Sequence, residues 1–299
     1  MQLERPRFAS RDEVFATRPH RAEGIKFGGL WLAGSLGGLA KPTVAIVGPR
    51  APSGAARERA VVLGRTLARS GACVLSGLAL GIDGAAHEGA LAGGGPTIGV
   101  LGGGHRCFFP RRHIELARSM LAAGGAVVSP YAPDEPARPG QFLQRNGVVA
   151  ALADAVVIVE AAERSGALNT ASWAAALGID VFAYPGDVAH PKSAGCNALI
   201  RDGATLVRGP ADVLDALGLA PVPEPARAAC PAHAGLDGAI AALLEPVPQS
   251  LDVLVERTGS SAGAVMAALV RLELTGAAAR DPAGFTRSGS GSQYPPKER

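Results

Sequence analysis

The sequence predicts an α/β fold in which helices cover both faces of a mostly parallel sheet, followed by a small second domain. Apolar runs of strand length recur between residues 44 and 186. Segments rich in Ala and Leu, with helical spacing, separate most of them. Strands this apolar are typical of parallel sheets buried on both faces. Right-handed crossovers between them give an extended, Rossmann-like, doubly wound sheet.

The predicted elements alternate along the chain. Apolar runs predict strands at residues 44–48, 73–77, 98–102, 126–130, 155–161 and 180–186. Periodic segments predict helices at residues 55–70, 83–92, 112–123, 142–152 and 168–177. A shorter run at 204–207 predicts a further strand, and a helix follows it at 211–217. Ligands of such sheets bind beyond the carboxyl ends of the strands. The glycine-containing turns after these strands are therefore the expected place for a site.

Composition shifts divide the chain into five segments. Residues 1–40 form an N-terminal extension with a weak pattern, whose Gly-rich part suggests an edge strand and a loop. Residues 41–220 form the Rossmann-like domain. Residues 221–234 are rich in Pro and Ala and are interpreted as a linker. Residues 235–287 predict a winged-helix-like domain. Residues 288–299 are of low complexity and are expected to be disordered.

The predicted winged-helix-like domain has three short helices and a hairpin. The helices are expected at residues 236–244, 251–258 and 263–274. In such domains the third helix usually faces DNA. Here that helix carries one basic residue, Arg271. A DNA-reading helix and a protein–protein module therefore both remain open interpretations.

Charge and cysteine content set broad limits on function. The chain has 299 residues, a formal net charge of +3 and a pI near 8.8, which permits a polyanionic partner without requiring one. The four cysteines are widely spaced and suggest neither a disulfide framework nor a zinc site. The charged N-terminus does not resemble a secretory signal, and no uninterrupted apolar run is long enough to span a bilayer. A cytoplasmic protein without a membrane partner is expected.

Two glycine-containing turns predict binding of a phosphate-bearing ligand. Residues 48–54 read GPRAPSG, and residues 76–83 read SGLALGID. Turns of this kind present backbone N–H groups at helix N-termini, where anions bind. Arg50 lies in the first turn and can add donors that match phosphate geometry. The glycine spacing is wrong for a dinucleotide fingerprint, and Ser76 stands where a ribose-binding acid is expected.

Three later segments add basic, aromatic and polar groups. His105, Arg106 and the pair Phe108–Phe109 border a glycine turn, and either phenylalanine could stack on a base or pack as a wedge. Phe142, Arg145 and Asn146 suit single-stranded nucleic acid, although capping and packing would use the same residue types. The turn Ser165–Gly166 precedes a helix and is a third candidate for anion binding.

Signals for catalysis are weak. Asp83 and His87 lie four residues apart on one helix face, which suggests a catalytic dyad, although a helix cap and a locally satisfied histidine explain them equally simply. The sequence contains no nucleophile elbow, lysine-bearing phosphate loop or zinc-binding H-E-x-x-H motif. We therefore predict no catalytic residue, no cofactor and no metal site.

The order of motifs resembles one known family. VAIVGPR, SGLALGID, IGVLGGG, FFP, FLQRN, VVIVEAAERSGALNTA, VFAYPGD and GCNALIRDGA follow one another at compatible spacing over residues 30–217. This series is similar to that of the DNA-processing protein A (DprA/Smf) family. The resemblance implies a single-stranded DNA-binding recombination mediator of natural transformation that protects incoming DNA and acts without catalysis. It also implies a homodimer, displacement of single-strand-binding protein and loading of the RecA recombinase.

The resemblance also implies a set of DNA-binding residues. Carried over motif by motif, they are Gly48, Arg50, Ser76, Gly77, Gly81, Arg138, Phe142, Arg145, Asn146, Ser165, Gly166, Thr170 and Lys192. Three positions depart from the family pattern. Pro49 replaces a common Ser, while Leu80 and Gly147 stand where Arg is common. These departures weaken the basic patch, so the expected affinity for DNA is reduced.

Two other classes of function remain as alternatives. One is a Rossmann-like nucleotide-binding sensor or nucleoside-phosphate hydrolase, for which Glu160 and Asp83 would be the acid/base candidates. The other is an adaptor that acts through the winged helix. A basic groove joining Arg50, Arg145 and Lys192 would favour DNA. A closed pocket holding both carboxylates would favour hydrolysis.

Overall fold

The computed structural model describes residues 6–16, 21, 27–222, 235–245, 248–281 and 284–287. Most of the predicted linker and the whole predicted tail at 288–299 lie outside the described residues. The chain divides into two units, residues 1–222 and residues 223–299.

The larger unit is an α/β domain built on a nine-stranded sheet. Its strands are β1 (Arg7–Ser10), β2 (Gly29–Gly34), β3 (Thr43–Val47), β4 (Cys73–Ser76), β5 (Thr97–Val100), β6 (Ala126–Ser129), β7 (Ala155–Ile158), β8 (Asp180–Ala183) and β9 (Thr205–Leu206). Its α-helices are α1 (Arg11–Val14), α2 (Gly54–Arg69), α3 (Ile82–Ala92), α4 (Ile114–Ala122), α5 (Pro139–Leu152), α6 (Gly166–Ala176), α7 (Ala194–Arg201) and α8 (Pro210–Ala216). Short 3₁₀ turns lie at Leu36–Ala40, His105–Cys107, Arg111–His113 and Pro191–Ser193.

The strand order confirms the predicted doubly wound, mostly parallel sheet. It runs β1-β2-β6-β5-β4-β3-β7-β8-β9, and the strands from β6 to β9 pair in parallel. β2 pairs antiparallel with β6, and β1 pairs antiparallel with β2. The N-terminal segment therefore extends one edge of the sheet. The order reverses between β3 and β7, and such a reversal opens a crevice beyond the carboxyl ends of the two strands.

Alternating burial on the central strand shows why both faces need helices. All five residues of β3 are buried. Val44 and Ile46 pack into one apolar cluster, whereas Ala45 and Val47 pack into another. Because successive side chains of a strand point to opposite faces, these clusters are the two sides of the sheet. The sheet is therefore covered on both faces, as the apolar runs predicted.

Helices α2 and α3 lie unusually close together on one face. α2 begins after Ser53, whose hydroxyl accepts a hydrogen bond from the Ala56 N–H at 3.1 Å. A Cβ atom on Gly64 would lie within 3.0 Å of the Ala86 carbonyl oxygen, and one on Gly89 would lie equally close to Val61. The two glycines therefore permit a backbone-to-backbone approach that fixes where α3, and the turn before it, meets the sheet.

The smaller unit is the predicted winged helix. It contains α9 (Leu236–Leu243), α10 (Leu251–Thr258), α11 (Ala262–Leu274), β10 (Ala278–Asp281) and β11 (Gly284–Arg287). Ile240, Leu254, Leu269 and Phe285 belong to a core of its own. Among the described residues no single helix is long and apolar enough to cross a membrane. Only α10 and α11 taken together, which meet at an angle of 109°, have the length and composition of a membrane span.

Separate cores predict that the larger unit folds alone. A chain ending at Val222 should keep its melting temperature within a few degrees of the full-length value, because a missing domain with its own core does not alter its neighbour. Thermal unfolding of both chains, followed by circular dichroism, measures this. Aggregation of the shortened chain, or a large drop in its melting temperature, would show that residues 223–299 complete the larger core.

Candidate nucleic-acid interface

A pocket of about 390 Å³ opens at the point where the strand order reverses. The turn after β3, the turn after β4, the first turns of α5 and the start of α6 all contribute to its wall. Its lining residues are Val47, Gly48, Pro49, Arg50, Ala79, Asp83, Phe142, Leu143, Arg145, Asn146, Ser165, Gly166, Ala167 and Thr170. Eight residues of the predicted DNA-binding set are therefore brought together here.

One rim of the pocket combines a cation with two aromatic rings. Arg50 is exposed, and its guanidinium carbon lies 5.1 Å from the centre of the Phe142 ring. The Phe142 ring packs edge-on against Phe109, with 6.1 Å between the ring centres. Phe109 is 52% exposed, whereas Phe108 is buried and packs into an apolar cluster. Phe142 is half-buried. A guanidinium beside accessible rings can meet a phosphate and a stacked base at the same place.

The segment from Gly48 to Ser53, here called the Arg50 loop, rests directly on Gly81. Gly81 has a φ of +84°, and a Cβ atom there would lie within 3.0 Å of the Pro49 carbonyl oxygen and of the Arg50 backbone. Ile82 donates its N–H to the Pro49 carbonyl oxygen at 3.3 Å. Gly81 therefore serves the site by allowing this close approach, and it is not itself part of the pocket lining.

The sequence predicts Arg145 as a surface residue that contacts DNA, but the structure places its side chain in the interior. It is 4% exposed, and its guanidinium donates hydrogen bonds to the carbonyl oxygens of Gly77 and Val100. Its Nε atom is buried without a hydrogen-bond partner among the described residues. Burial lowers the pKa of Arg145, and the nearby Asp83 opposes that shift. The guanidinium therefore forms part of the pocket floor, because α5 presses this residue against the ends of β4 and β5.

Asp83 organises the turn that follows β4. Its carboxylate accepts hydrogen bonds from the N–H groups of Gly77 at 3.1 Å and Ala79 at 3.3 Å. Burial raises the pKa of Asp83, while the charge of Arg145 acts in the opposite direction. The carboxylate is thus committed to shaping the pocket floor. It binds the turn that precedes α3 and does not cap that helix, so the helix cap considered from the sequence is not formed.

His87 and Asp83 are hydrogen-bonded to other groups and do not form the catalytic dyad that the sequence suggests. Its Nδ1 shares a hydrogen bond with the Thr97 hydroxyl at 2.7 Å, and its Nε2 is buried without a partner. Burial, together with the charges of His113 and Arg145, lowers the pKa of His87 to about 3. This histidine is therefore a neutral core residue, and only one of its two ring nitrogens is satisfied locally among the described residues.

The start of α6 turns its N-terminus toward the pocket. Ser165 caps this helix by accepting a hydrogen bond from the Ala167 N–H at 3.3 Å. Asn146 donates from Nδ2 to the Gly166 carbonyl oxygen and to Asn169 Oδ1, both at 3.3 Å. The N-terminus of an 11-residue helix attracts anions through its dipole. Asn146 therefore ties α5 to the end of α6 that an anion would approach.

Several other predicted residues lie outside the pocket lining. Ser76 is buried and donates its hydroxyl to the Ile46 carbonyl oxygen at 2.7 Å, so it joins β4 to β3 below the pocket. Gly77 lies under the Arg145 guanidinium. Arg138 is exposed and precedes α5 as its N-cap. Leu143 lies within the FLQRN motif and is not among the predicted contacts, although it is 51% exposed and lines the pocket.

A second pocket, of about 200 Å³, lies on the other side of the Arg50 loop. Ser53, Arg59, Glu160, Tyr184 and Lys192 are among its lining residues. The two carboxylates considered for hydrolysis are therefore in different pockets, since Asp83 lines the first and Glu160 the second. Within the described residues, no group of three or more His, Cys, Asp and Glu side chains could hold a metal ion.

Comparison with known proteins finds the same family that the order of motifs resembles. The family model described as DNA recombination-mediator protein A matches residues 27–218, and the DprA winged helix domain matches residues 223–284. The chain belongs to the DNA recombination-mediator protein A family. Protein Smf of Escherichia coli, a relative, is 39% identical over 272 residues, which cover 87% of this chain and 71% of that protein. A relative in Mycobacterium tuberculosis is 44% identical over 192 residues, and the match spans 49% of its length.

Two solved structures from the DNA recombination-mediator protein A family resemble this chain. DNA processing protein A of Streptococcus pneumoniae matches with a TM-score of 0.64 and 35% identity, covering 72% of this chain and 75% of that one. DNA processing protein A of Helicobacter pylori matches with a TM-score of 0.63 and 28% identity, covering 73% of this chain and 98% of that one. The Helicobacter structure is described as revealing a single-stranded DNA binding mode.

The buried state of His87 predicts a pH-dependent contribution to stability. Its pKa falls from 6.5 to about 3 on folding. Between these values the unfolded chain takes up a proton that the folded chain does not, so stability should decrease as the pH falls through this range. In His87→Gln this part of the decrease should be absent. Free energies of unfolding, measured by urea titration at a series of pH values from neutral downward, test this.

The exposed His190 supplies the control for that measurement. His190→Gln makes the same substitution at an exposed histidine and is measured beside His87→Gln. If the profiles of wild type and His87→Gln ran parallel, His87 would be charged or solvated in the folded protein.

Proposed function

We propose that the chain binds single-stranded DNA at the pocket beside the Arg50 loop. The observation that carries this proposal is the rim, where the exposed Arg50 guanidinium lies over Phe142 and Phe109 extends the aromatic surface. A phosphate paired with Arg50 would also lie near the N-terminus of α6. Aromatic rings stack on unpaired bases regardless of base identity, and a duplex keeps its bases covered. Single strands should therefore bind in preference to duplex, without marked sequence preference.

The direct contacts of this proposal come from the pocket lining. Arg50 and the α6 end, at Ser165 and Gly166, would hold phosphate, while Phe142 would stack on a base. Asn146 would orient the α6 end, and Arg138 would add positive charge at the start of α5. The class of ligand is supported by a family member of known structure, which is described with a single-stranded DNA binding mode.

The winged helix is proposed to contribute little to this affinity. On α11, Arg271 donates two hydrogen bonds to Asp237, at 2.7 and 2.6 Å. A guanidinium held bidentately by a carboxylate offers a weakened charge to a phosphate. The DNA affinity would thus reside in the larger unit.

Membership of the family supports a finer proposal. The chain would act by binding, without catalysis, as a recombination mediator of natural transformation. It would protect incoming single-stranded DNA, displace single-strand-binding protein and help to load the RecA recombinase, as a homodimer. The departures at Pro49, Leu80 and Gly147 would lower its affinity for DNA. A Cβ on Gly147 would lie 3.1 Å from the Trp173 ring, so a larger residue there would require this ring to shift by a few tenths of an ångström.

The proposal predicts that Arg50→Ala weakens binding far more than Arg271→Ala. A lost charge-assisted contact to phosphate corresponds to roughly 1.5–3 kcal/mol, or at least about tenfold in Kd. Fluorescence anisotropy with a labelled oligothymidylate, titrated over a range of salt, gives both Kd and its salt dependence. The wild-type Kd should rise with salt, because neutralised phosphates release counterions.

Duplex of the same length is the matched ligand for that titration. Equal affinity for duplex and single strand, or affinity that does not change with salt, would contradict the proposed function. A greater loss in Arg271→Ala than in Arg50→Ala would move the DNA site to the winged helix.

A further inference from the structure

Two side chains hold the Arg50 loop from the side of the second pocket. The buried carboxylate of Glu160 accepts a hydrogen bond from the Ser53 N–H at 2.9 Å. The ammonium group of Lys192 donates a hydrogen bond to the Ala51 carbonyl oxygen at 2.9 Å. These bonds join residues that are 107 and 141 positions apart in the chain. Both are therefore tertiary contacts to the backbone of the loop that carries Arg50.

The two side chains share one support. Glu160 follows the end of β7, and Lys192 lies in the turn Pro191–Ser193 that leads into α7. The N–H of Gly195, at the start of α7, donates to the Ala161 carbonyl oxygen at 2.8 Å. A Cβ atom on Gly195 would lie within 3.0 Å of the Ala162 carbonyl oxygen. α7 thus begins directly against the backbone that follows Glu160, so that the two side chains approach the loop from adjoining parts of the structure.

We propose that Glu160 and Lys192 form a clamp that sets the position of the Arg50 loop, and that both affect DNA binding through Arg50 without touching DNA. This inference rests on the proposed function of the first pocket. Gly81 supports the loop from the α3 side, and the clamp fixes it from the side of β7 and α7. Glu160 and Lys192 are positioning residues, and the Lys192 contact with phosphate that the family resemblance implied is replaced by this role.

Loss of the Glu160 charge and loss of its contact with the loop should change DNA affinity in opposite directions, so the direction of the change tests the inference. A carboxylate near the path of a polyanion repels it, so removing the charge should by itself strengthen DNA binding. The clamp predicts the opposite for Glu160→Ala, because the Ser53 N–H loses its acceptor and the loop loses its fixed position. Glu160→Gln keeps an oxygen that can accept this hydrogen bond and should bind DNA at least as well as the wild type.

Glu160→Ala should weaken oligothymidylate binding about tenfold, as expected for loss of a hydrogen bond to a charged group. Glu163 is exposed three residues further along, and Glu163→Ala removes the same charge without removing the contact to the loop. That control should bind as tightly as the wild type or more tightly. Adding Glu160→Ala to Arg50→Ala should cause little further loss, because residues that act through one another are not additive.

Lys192→Met separates positioning from direct contact. It should weaken binding in the wild-type background but add little to the loss in Arg50→Ala, because residues that act through one another are not additive. If Lys192→Met lowered the affinity of Arg50→Ala further, and lowered the slope of log K against log salt by about one more, Lys192 would contact phosphate directly and the positioning role would be overturned.

A readout without DNA tests the clamp itself. In the full chain, the Ser53 amide should exchange with solvent deuterium faster in Glu160→Ala than in the wild type, and Glu160→Gln should restore its protection. Unchanged exchange, or tighter DNA binding by Glu160→Ala, would overturn the inference while leaving the proposed function intact. If the wild-type chain failed to bind the oligonucleotide at all, the proposed function would be wrong and the clamp would have no DNA site to organise.

Discussion

The buried guanidinium of Arg145 is the constraint on which the geometry of the pocket depends. A buried charge is tolerated only when hydrogen bonds and an opposite charge compensate it. The carbonyl oxygens of Gly77 and Val100 and the nearby carboxylate of Asp83 supply that compensation. Because these groups terminate β4 and β5 and begin α3, satisfying Arg145 fixes α5 against the carboxyl ends of both strands.

The rest of the site follows from that position of α5. Phe142 lies one turn before Arg145 on the same helix and reaches the rim beside Arg50. Asn146 follows Arg145 and reaches the start of α6. The two glycines of the neighbouring turn permit close backbone approach, with Gly77 under the guanidinium and Gly81 under the Arg50 loop. A polar floor and a cationic, aromatic rim therefore arise from one buried interaction at the switch point of the sheet.

The local pattern of apolar residues in the sequence predicts most of the fold. The strands from β3 to β8 are mostly apolar and overlap the predicted runs, because a doubly covered sheet requires such residues. The runs at 155–161 and 180–186 extend three residues past the observed strands. The short strand β1 is not predicted, because only one of its four residues is buried. β1 forms the edge of the sheet, and β2, which the sequence predicts as an edge strand, lies between β1 and β6. The glycine turns indicated where the pocket would lie, because topology brings the carboxyl ends of parallel strands to one edge.

The roles of charged residues could not be predicted in the same way. Because arginine and lysine are usually exposed, the motif that contains Arg145 predicts a surface patch. Its burial depends on carbonyl groups 68 and 45 positions away in the chain. The contacts of Glu160 and Lys192 with the Arg50 loop span still longer separations. Phe108 and Phe109 are adjacent and chemically identical, and only the tertiary structure determines which of them is exposed.

The central claim is that single-stranded DNA meets the protein at the rim formed by Arg50, Phe109 and Phe142. Ultraviolet cross-linking of the full chain to an oligothymidylate, followed by mass spectrometry of the linked peptides, tests this directly. We expect cross-links on peptides that contain Phe109 and Phe142, and their loss when Phe142 is replaced by Leu. Cross-links confined to the winged helix, between residues 236 and 287, would contradict it.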